Sequence, residues 1–493
     1  MPHLRGFLLV ALWAAVAAPT ATPCVLAAQP AGRDVSGLAA RPSPDWLKDG
    51  VVYEVYPRTF SRRGDFQGVI HGLPRLRQLG VTVLWLMPIH PIGDVKRKGA
   101  LGSPYAVKDY YDVNPAYGTK ADFKRLVTEA HRLGLKVIID EVPNHTAFDN
   151  PMTKRPGLHV RDAKGQVLSP YDWTDVAALD YNSPALRAYM TDVFRHWIRE
   201  YDIDGYRMDV AWNVPVDFWE ALRPQLEAVK RDIVMLAEAH QPDLLRQAFD
   251  IDYSWPLYHA TAAVVQEGKS ATVVRDEWQK ERATYPRDAL HLRLPDSHDE
   301  KRAIIRFGER GALAVTALMF TLDGVPLLYN GNEVGDATES GDPALFEDMP
   351  VFWAGTKRVP QFAAFFTDML PLRAQSSALR RGRLTWIGNS DPDRIVTFVR
   401  RSEDEELVVA INLSSRRFDG TLEASGSFVE VGLGRTTAGN AVALPAVSLE
   451  AWGYRIFRRV TPRSSRPWCR ECTPGSRPAS PCSASPWCSR SPT

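Results

Sequence analysis

Cysteine is nearly absent from the body of this chain. Of 493 residues five are Cys, one at Cys24 and four at Cys469, Cys472, Cys482 and Cys488, so residues 29–467 contain none. That excludes a disulfide framework and thiol chemistry for whatever folds between them. Long apolar runs are scarce as well: residues 7–18 form a run of twelve, too short to cross a bilayer, and no later run reaches membrane length. This run follows Arg5 and precedes Pro19, Pro23 and Leu26-Ala27-Ala28, the pattern of a secretory signal cut near Ala28. Pro23, directly before Cys24, argues against a lipoprotein. The expected mature protein is exported, to the periplasm or the medium, and keeps no membrane span. An excess of one charge is also missing. Lys and Arg number 60 against 58 Asp and Glu, a net charge of +2 without blocks of like charge, which excludes an electrostatic footprint for nucleic acid or an anionic membrane.

What is present is a large globular body, 45% hydrophobic and 24% charged. β-branched and aromatic runs at residues 50–56, 81–86, 136–140, 205–209, 233–238, 249–253, 289–294 and 325–329 read as strands. Helical spacing separates several of them, at 71–79, 121–133, 184–201, 216–229 and 312–322. Eight near-continuous apolar strands alternating with helices predict a parallel sheet covered by helices, most simply a closed (β/α)8 TIM barrel over residues 46–378. Residues 146–182 are rich in Gly, Pro and Asp and read as a short inserted subdomain after the third strand. Short strands with turn residues at 384–387, 394–400, 406–412, 427–431 and 451–457 predict a C-terminal antiparallel β-sandwich domain over 379–460. Residues 29–45 read as a Pro-rich linker. The Ser-, Pro-, Arg- and Cys-rich residues 461–493 lack the aliphatic content for a core and read as a disordered tail or an out-of-frame extension. Their second cysteine pair is spaced Cys-x5-Cys with no nearby His, which argues against zinc.

In a barrel of this kind the chemistry collects at the C-terminal ends of the strands. Those ends hold Asp140 with Asn144 and His145, Arg207 with Asp209, Glu238, and Asp296 with His298 and Asp299. Arg207 and Asp209 are two residues apart on one strand and project from the same face. A guanidinium there is expected to keep the carboxylate ionised, as a carboxylate nucleophile requires. Singly, each is as readily a cap or a core residue. In register at four strand ends, they form a constellation.

From about residue 46 to 459 the chain resembles the α-amylase family of glycoside hydrolases and transglycosidases. The resemblance rests on Asp140-Glu141-Val142-Pro143-Asn144-His145, Gly205-Tyr206-Arg207-Met208-Asp209, Glu238 and Asp296-Ser297-His298-Asp299, with support from Ser103-Pro104-Tyr105 and residues 326–333. It implies Asp209 as nucleophile, Glu238 as general acid and base with a raised pKa, and Asp299 as a further carboxylate that favours the protonated form of Glu238. His145 and His298 would bind sugar hydroxyls, Tyr105 would stack beneath the ring, and Asp140 would support Arg207 or His145. The implied substrate is a starch-like α-glucan or malto-oligosaccharide cleaved at α-1,4 bonds through a covalent glycosyl-enzyme, with no organic cofactor.

The chain departs from the family pattern at three positions. Trp212-Asn213 stand where amylases often carry Lys-His, and Ser297 stands where Asn is usual. Trp212 is expected either at the cleft rim on the leaving-group side, as a stacking platform, or packed under the inserted subdomain. Asn144 matches a position that in the family helps hold a structural calcium, with Asp172 or Asp175 as further oxygen donors, and Asn213 leaves calcium open. Residues 87–93 are similar to a stretch of glucan maltosyltransferases, so a transglycosylase is the alternative. A noncatalytic carbohydrate-binding relative is disfavoured because Asp209, Glu238 and Asp299 are all present.

Overall fold

Eight short parallel strands close on themselves. They are β1 (Val52–Val55), β2 (Val83–Leu86), β3 (Lys136–Glu141), β6 (Gly205–Met208), β7 (Val234–Ala237), β8 (Ile251–Tyr253), β9 (Leu290–Arg293) and β10 (Val325–Tyr329). A separate antiparallel pair, β4 (His145–Ala147) with β5 (Val176–Ala178), lies in the long connection after β3. The barrel order is β1-β10-β9-β8-β7-β6-β3-β2. This computed structural model describes residues 32–338, 342–432 and 441–460. The signal read at residues 1–28 and the tail read at 461–493 lie outside the described residues.

The strands are buried on both faces, which is why they read as unbroken apolar runs. Val52, Val83, Trp85, Ile138, Val234, Leu236, Leu292 and Leu327 fill the barrel interior, while a larger core joins the outer strand faces to the helices. Helix starts follow their sequence signals. Thr119 and Asp122 form a capping box for Lys120–Arg132, and Ser183 with Pro184 opens Pro184–Tyr201. Gly205 opens β6 because a Cβ there would sit 2.3 Å from the Val234 carbonyl oxygen of the neighbouring strand.

The C-terminal domain is sandwich-like and carries one six-stranded antiparallel sheet. Its strands are β11 (Arg383–Trp386), β12 (Ile395–Arg401), β13 (Glu406–Asn412), β14 (Phe418–Val431), β15 (Ala441–Leu449) and β16 (Tyr454–Arg459), in the order β11-β12-β13-β16-β14-β15. Two features differ from the sequence reading. β15 has no counterpart there, and β14 is fourteen residues long where only its last five were expected. Asp419, Gly420, Ala424, Ser425 and Gly426 break up its first nine residues and look like turns, but pairing with β15 supplies the backbone partners that composition does not reveal. Arg400 on β12 bolts this sheet to the barrel: its buried guanidinium donates to the carbonyls of Thr321, Leu379 and Gly382 at 2.7, 3.0 and 3.0 Å.

Candidate active site

Arg207 lies at the centre of the strand ends and is fully buried. Its Nη1 donates to Asp140 Oδ1 at 2.9 Å and to Asp209 Oδ1 at 3.0 Å, while Nη2 lies 3.0 Å from Glu238 Oε2. Barrel register places it: Asp140 on β3 is directly opposite Arg207 on β6, and Glu238 follows the next strand, β7. Val210, immediately after Asp209, has φ 49°, a left-handed conformation unusual for a β-branched residue. In that conformation its N–H donates to Glu238 Oε2 at 2.7 Å, so local backbone strain links the two carboxyl groups.

Opposite them, the loop after β9 carries Asp296, His298 and Asp299. Asp296 does not face the cleft; it accepts from Asn332 Nδ2 at 2.8 Å and from the Ala303 N–H, and thereby fixes the loop. His298 Nε2 lies 3.1 Å from Asp299 and 2.7 Å from the Tyr105 hydroxyl, and Nδ1 bonds Glu54 of β1. The Tyr105 ring stacks on His298 at 5.5 Å and 23°, and 9% of the residue stays open. Its hydroxyl donates to Asp140 Oδ2 at 3.0 Å. On the other flank His145 Nδ1 meets the Asn144 amide nitrogen at 3.1 Å, which puts the ring proton on Nε2, 3.9 Å from Asp209 Oδ2.

Crowding sets the electrostatics. Burial pushes Glu238 up, with Asp299 adding to it against the pull of Arg207. Burial acts the other way from His298 on Asp299, yet the imidazole wins and holds that carboxyl below its ordinary range. Burial also pushes Asp140 up to about 7 and pulls His145 down to about 4, so His145 is neutral. Asp209 differs from the sequence expectation. Burial and then Glu238 push it up by more than Arg207 draws it down. The guanidinium stands where the sequence put it, but it is divided among three carboxyl groups, so its pull on Asp209 is outweighed by burial and Glu238.

A family model for the α-amylase catalytic domain matches residues 45–158 and 159–367. The chain belongs to the α-amylase family of glycoside hydrolases. Among its relatives, the α-amylase MalA of Haloarcula japonica is 28% identical over 77% of this chain, which spans 58% of MalA's length. A cyclomaltodextrinase of Geobacillus thermopakistaniensis is 27% identical over 84% of this chain and 78% of its own. The crystal structure of a maltogenic α-amylase, AmyB from Thermotoga neapolitana, superposes with a TM-score of 0.77 at 29% identity, covering 84% of this chain and 99% of that one.

Within this amylase-family site the residues read as a calcium set do not fit a divalent cation. The Asn144 side-chain oxygen accepts from Asn213 Nδ2 at 2.8 Å, and Asn213 in turn accepts from the Tyr171 hydroxyl at 3.0 Å. Asp175 pairs with the Lys98 ammonium at 3.0 Å, and Asp172 is exposed. An amide donor and a fixed positive charge thus occupy the two inner oxygens, leaving too few for the six to eight that calcium takes. Among the described residues no three His, Cys, Asp or Glu side chains converge as a metal site.

Trp212 is 40% exposed and rests against the inserted subdomain. It meets Tyr171, 49% exposed, at 5.8 Å, and Tyr171 meets Trp173 at 5.3 Å, which touches His145 at 5.7 Å. An aromatic strip therefore runs from the exposed Trp212 to His145, beside Asp209. Sequence reasoning missed Tyr171 and Trp173 in that role, and also Glu54, Trp85 and Tyr253 inside the barrel. Trp85 Nε1 donates to Asp140 at 3.2 Å, and the buried Tyr253 hydroxyl has no hydrogen-bond partner among the described residues. The available signal was polar or aromatic residues at inward positions of apolar strands.

Proposed function

We propose that the protein is a retaining α-glucan hydrolase that cleaves α-1,4-glucosidic bonds of malto-oligosaccharides. The observation that carries this reading is the Arg207 guanidinium joining Asp209 and Glu238 at adjacent strand ends, with Asp299 held ionised across the cleft. Asp209 attacks the anomeric carbon while Glu238, kept protonated by burial and by Asp299, gives its proton to the leaving oxygen. Water activated by Glu238 then releases the glycosyl group from Asp209. Asp299 and His145 hold hydroxyls of the reacting sugar as its ring flattens. Kinship with proteins named maltogenic α-amylase and cyclomaltodextrinase supports small maltose-based substrates over granular starch. Product analysis on maltoheptaose, β-cyclodextrin, pullulan and trehalose tests the reading. Maltoheptaose should give maltose and related short products while trehalose stays intact; cleavage of trehalose alone would overturn it.

A transfer activity beside hydrolysis is favoured by the strip Trp212-Tyr171-Trp173. Sugar rings stack on such faces, and an acceptor held there competes with water for the glycosyl-enzyme. Maltotriose at tens of millimolar, roughly the range of weak acceptor sites, should yield some products longer than itself. Trp212→Ala should lower the transfer-to-hydrolysis ratio roughly two- to tenfold, the equivalent of about 0.5–1.5 kcal/mol of stacking. Absence of longer products from wild type rules the strip out as an acceptor platform.

The same reading makes the fold independent of calcium, because Asn213 and Lys98 already satisfy Asn144 and Asp175. Excess EDTA should leave both melting temperature and activity unchanged. A fall of more than about 4 °C, on the order of 1–2 kcal/mol for a chain of this size, that calcium reverses would show that a cation binds after all.

A further inference from the structure

Glu54 is a buried acidic residue that the mechanism above does not use. It stands on β1 among Val52, Tyr53 and Val55, fully inaccessible, and among the described residues its side chain takes one hydrogen bond, from His298 Nδ1. We propose that Glu54 is a positioning residue that keeps His298 doubly protonated, so that a fixed imidazolium faces Asp299 and the sugar at the reacting position. This rests on reading Asp299 and His298 as groups that contact the reacting sugar.

Hydrogen accounting around the ring supports it. The Tyr105 hydroxyl, 2.7 Å from His298 Nε2, has one proton. It gives that proton to Asp140 Oδ2, which also faces Arg207 Nη1 at 3.1 Å and Trp85 Nε1 at 3.2 Å, so that oxygen meets three donors and leaves no room for a proton of its own. Tyr105 must then accept from His298 Nε2–H, and Asp299, 3.1 Å away, accepts on the same side. A carboxylate on Nδ1 makes the second nitrogen a donor as well. Every titratable group facing the ring has a place in this scheme. Glu54 approaches from β1 and Asp299 from its own loop. Tyr105 lies over one face, Asp140 and Arg207 stand behind the Tyr105 hydroxyl, and Glu238 acts at longer range. From β2 the neutral Trp85 ring meets the imidazole edge-on at 5.8 Å. Burial alone would discharge the imidazole, and Asp299 with Glu54 reverses that and holds it well above the ordinary histidine range. The consequence reaches the chemistry in two steps: the imidazolium keeps Asp299 ionised, and Asp299 helps keep the proton on Glu238.

The test is nitrogen NMR of the full chain labelled at histidine, with the His298 signals assigned by their loss in His298→Asn. At pH 8 the wild-type ring should show both nitrogens protonated, and in Glu54→Gln one nitrogen should be bare. In parallel, the same spectra followed from pH 6 to 10 should show His298 losing its second proton at a pH lower by about 1–3 units in Glu54→Gln, the usual effect of one close opposite charge, and Glu54→Asp should restore most of it. A wild-type His298 with one bare nitrogen at pH 8 overturns the proposal, and that spectrum decides even if Glu54→Gln does not fold. Superimposable pH profiles with only a lower melting temperature overturn it too, since a purely structural role gives that result. The spectrum needs no substrate, so inactivity on α-glucans would sink the proposed function and leave this reading of Glu54 to be judged separately.

Discussion

Asp209→Asn should lower turnover on maltoheptaose by at least about 10³-fold, roughly 4 kcal/mol in barrier, without loss of stability. Replacing a carboxylate by an amide removes the proposed nucleophile but also relieves crowding. Glu54, Asp140, Asp209, Glu238 and Asp299 gather around two cations, Arg207 and His298, and Asp209 is pushed up by burial and by Glu238. The melting temperature should therefore stay level or rise, the signature of a site that gives up stability for function. Glu238→Gln should be as inactive and should also abolish the alkaline limb of activity. That limb reflects loss of the Glu238 proton, which burial and Asp299 keep in place to a higher pH than an ordinary glutamate allows. Activity within about tenfold of wild type in either variant, near 1.4 kcal/mol, would remove that residue from its role.

Arg207→Met should have the largest effect on the fold. The guanidinium is fully buried and its three neighbours are carboxyl groups at 2.9 to 3.0 Å. Removing one side of a buried ionic cluster typically costs about 3–5 kcal/mol because the other side is left uncompensated. The deficit should depend on pH with a definite sign. Without Arg207, the folded-state pKa values of Asp140, Asp209 and Glu238 rise further above their unfolded values near 4. A raised carboxyl destabilises the fold above the unfolded pKa and ceases to do so when protonated. The melting difference from wild type should accordingly be greatest at pH 7 and above and shrink toward pH 4.5. A loss below about 1 kcal/mol, the scale of an ordinary surface ion pair, would mean that Arg207 does not organise the site.

The strand-end carboxylates were legible in the sequence because a parallel barrel gives each a fixed place: two-residue alternation aligned Arg207 with Asp209, and the strand rhythm placed Asp140, Glu238 and Asp299 at the same rim. What escaped depends on contacts that no local pattern encodes. Glu54 meets a histidine 244 residues away, and the only local sign was a lone acid in an apolar strand. The upward push on Asp209 was not legible because one neighbour, Arg207, was visible in sequence while Glu238 and burial were not. Helix Trp255–Glu267 went unread because it is apolar around most of its surface and lacks a 3.6-residue rhythm. β15 contains Pro445 and takes its strand form from pairing with β14. Asn213 and Trp212 were recognised as departures, but their consequences emerged only when Tyr171 of the insertion was placed against both.

The most direct measurement is covalent trapping at the proposed nucleophile. Glu238→Gln lacks the acid and base but retains Asp209, so an α-maltosyl fluoride, whose leaving group needs no proton, should glycosylate the protein faster than water can release it. Peptide mass spectrometry should then find the added maltosyl group on the peptide that carries Asp209, and Asp209→Asn should abolish the adduct. A maltosyl group on any other residue, or product released with inverted anomeric configuration and no adduct at all, would contradict the retaining site built around Arg207, Asp209 and Glu238.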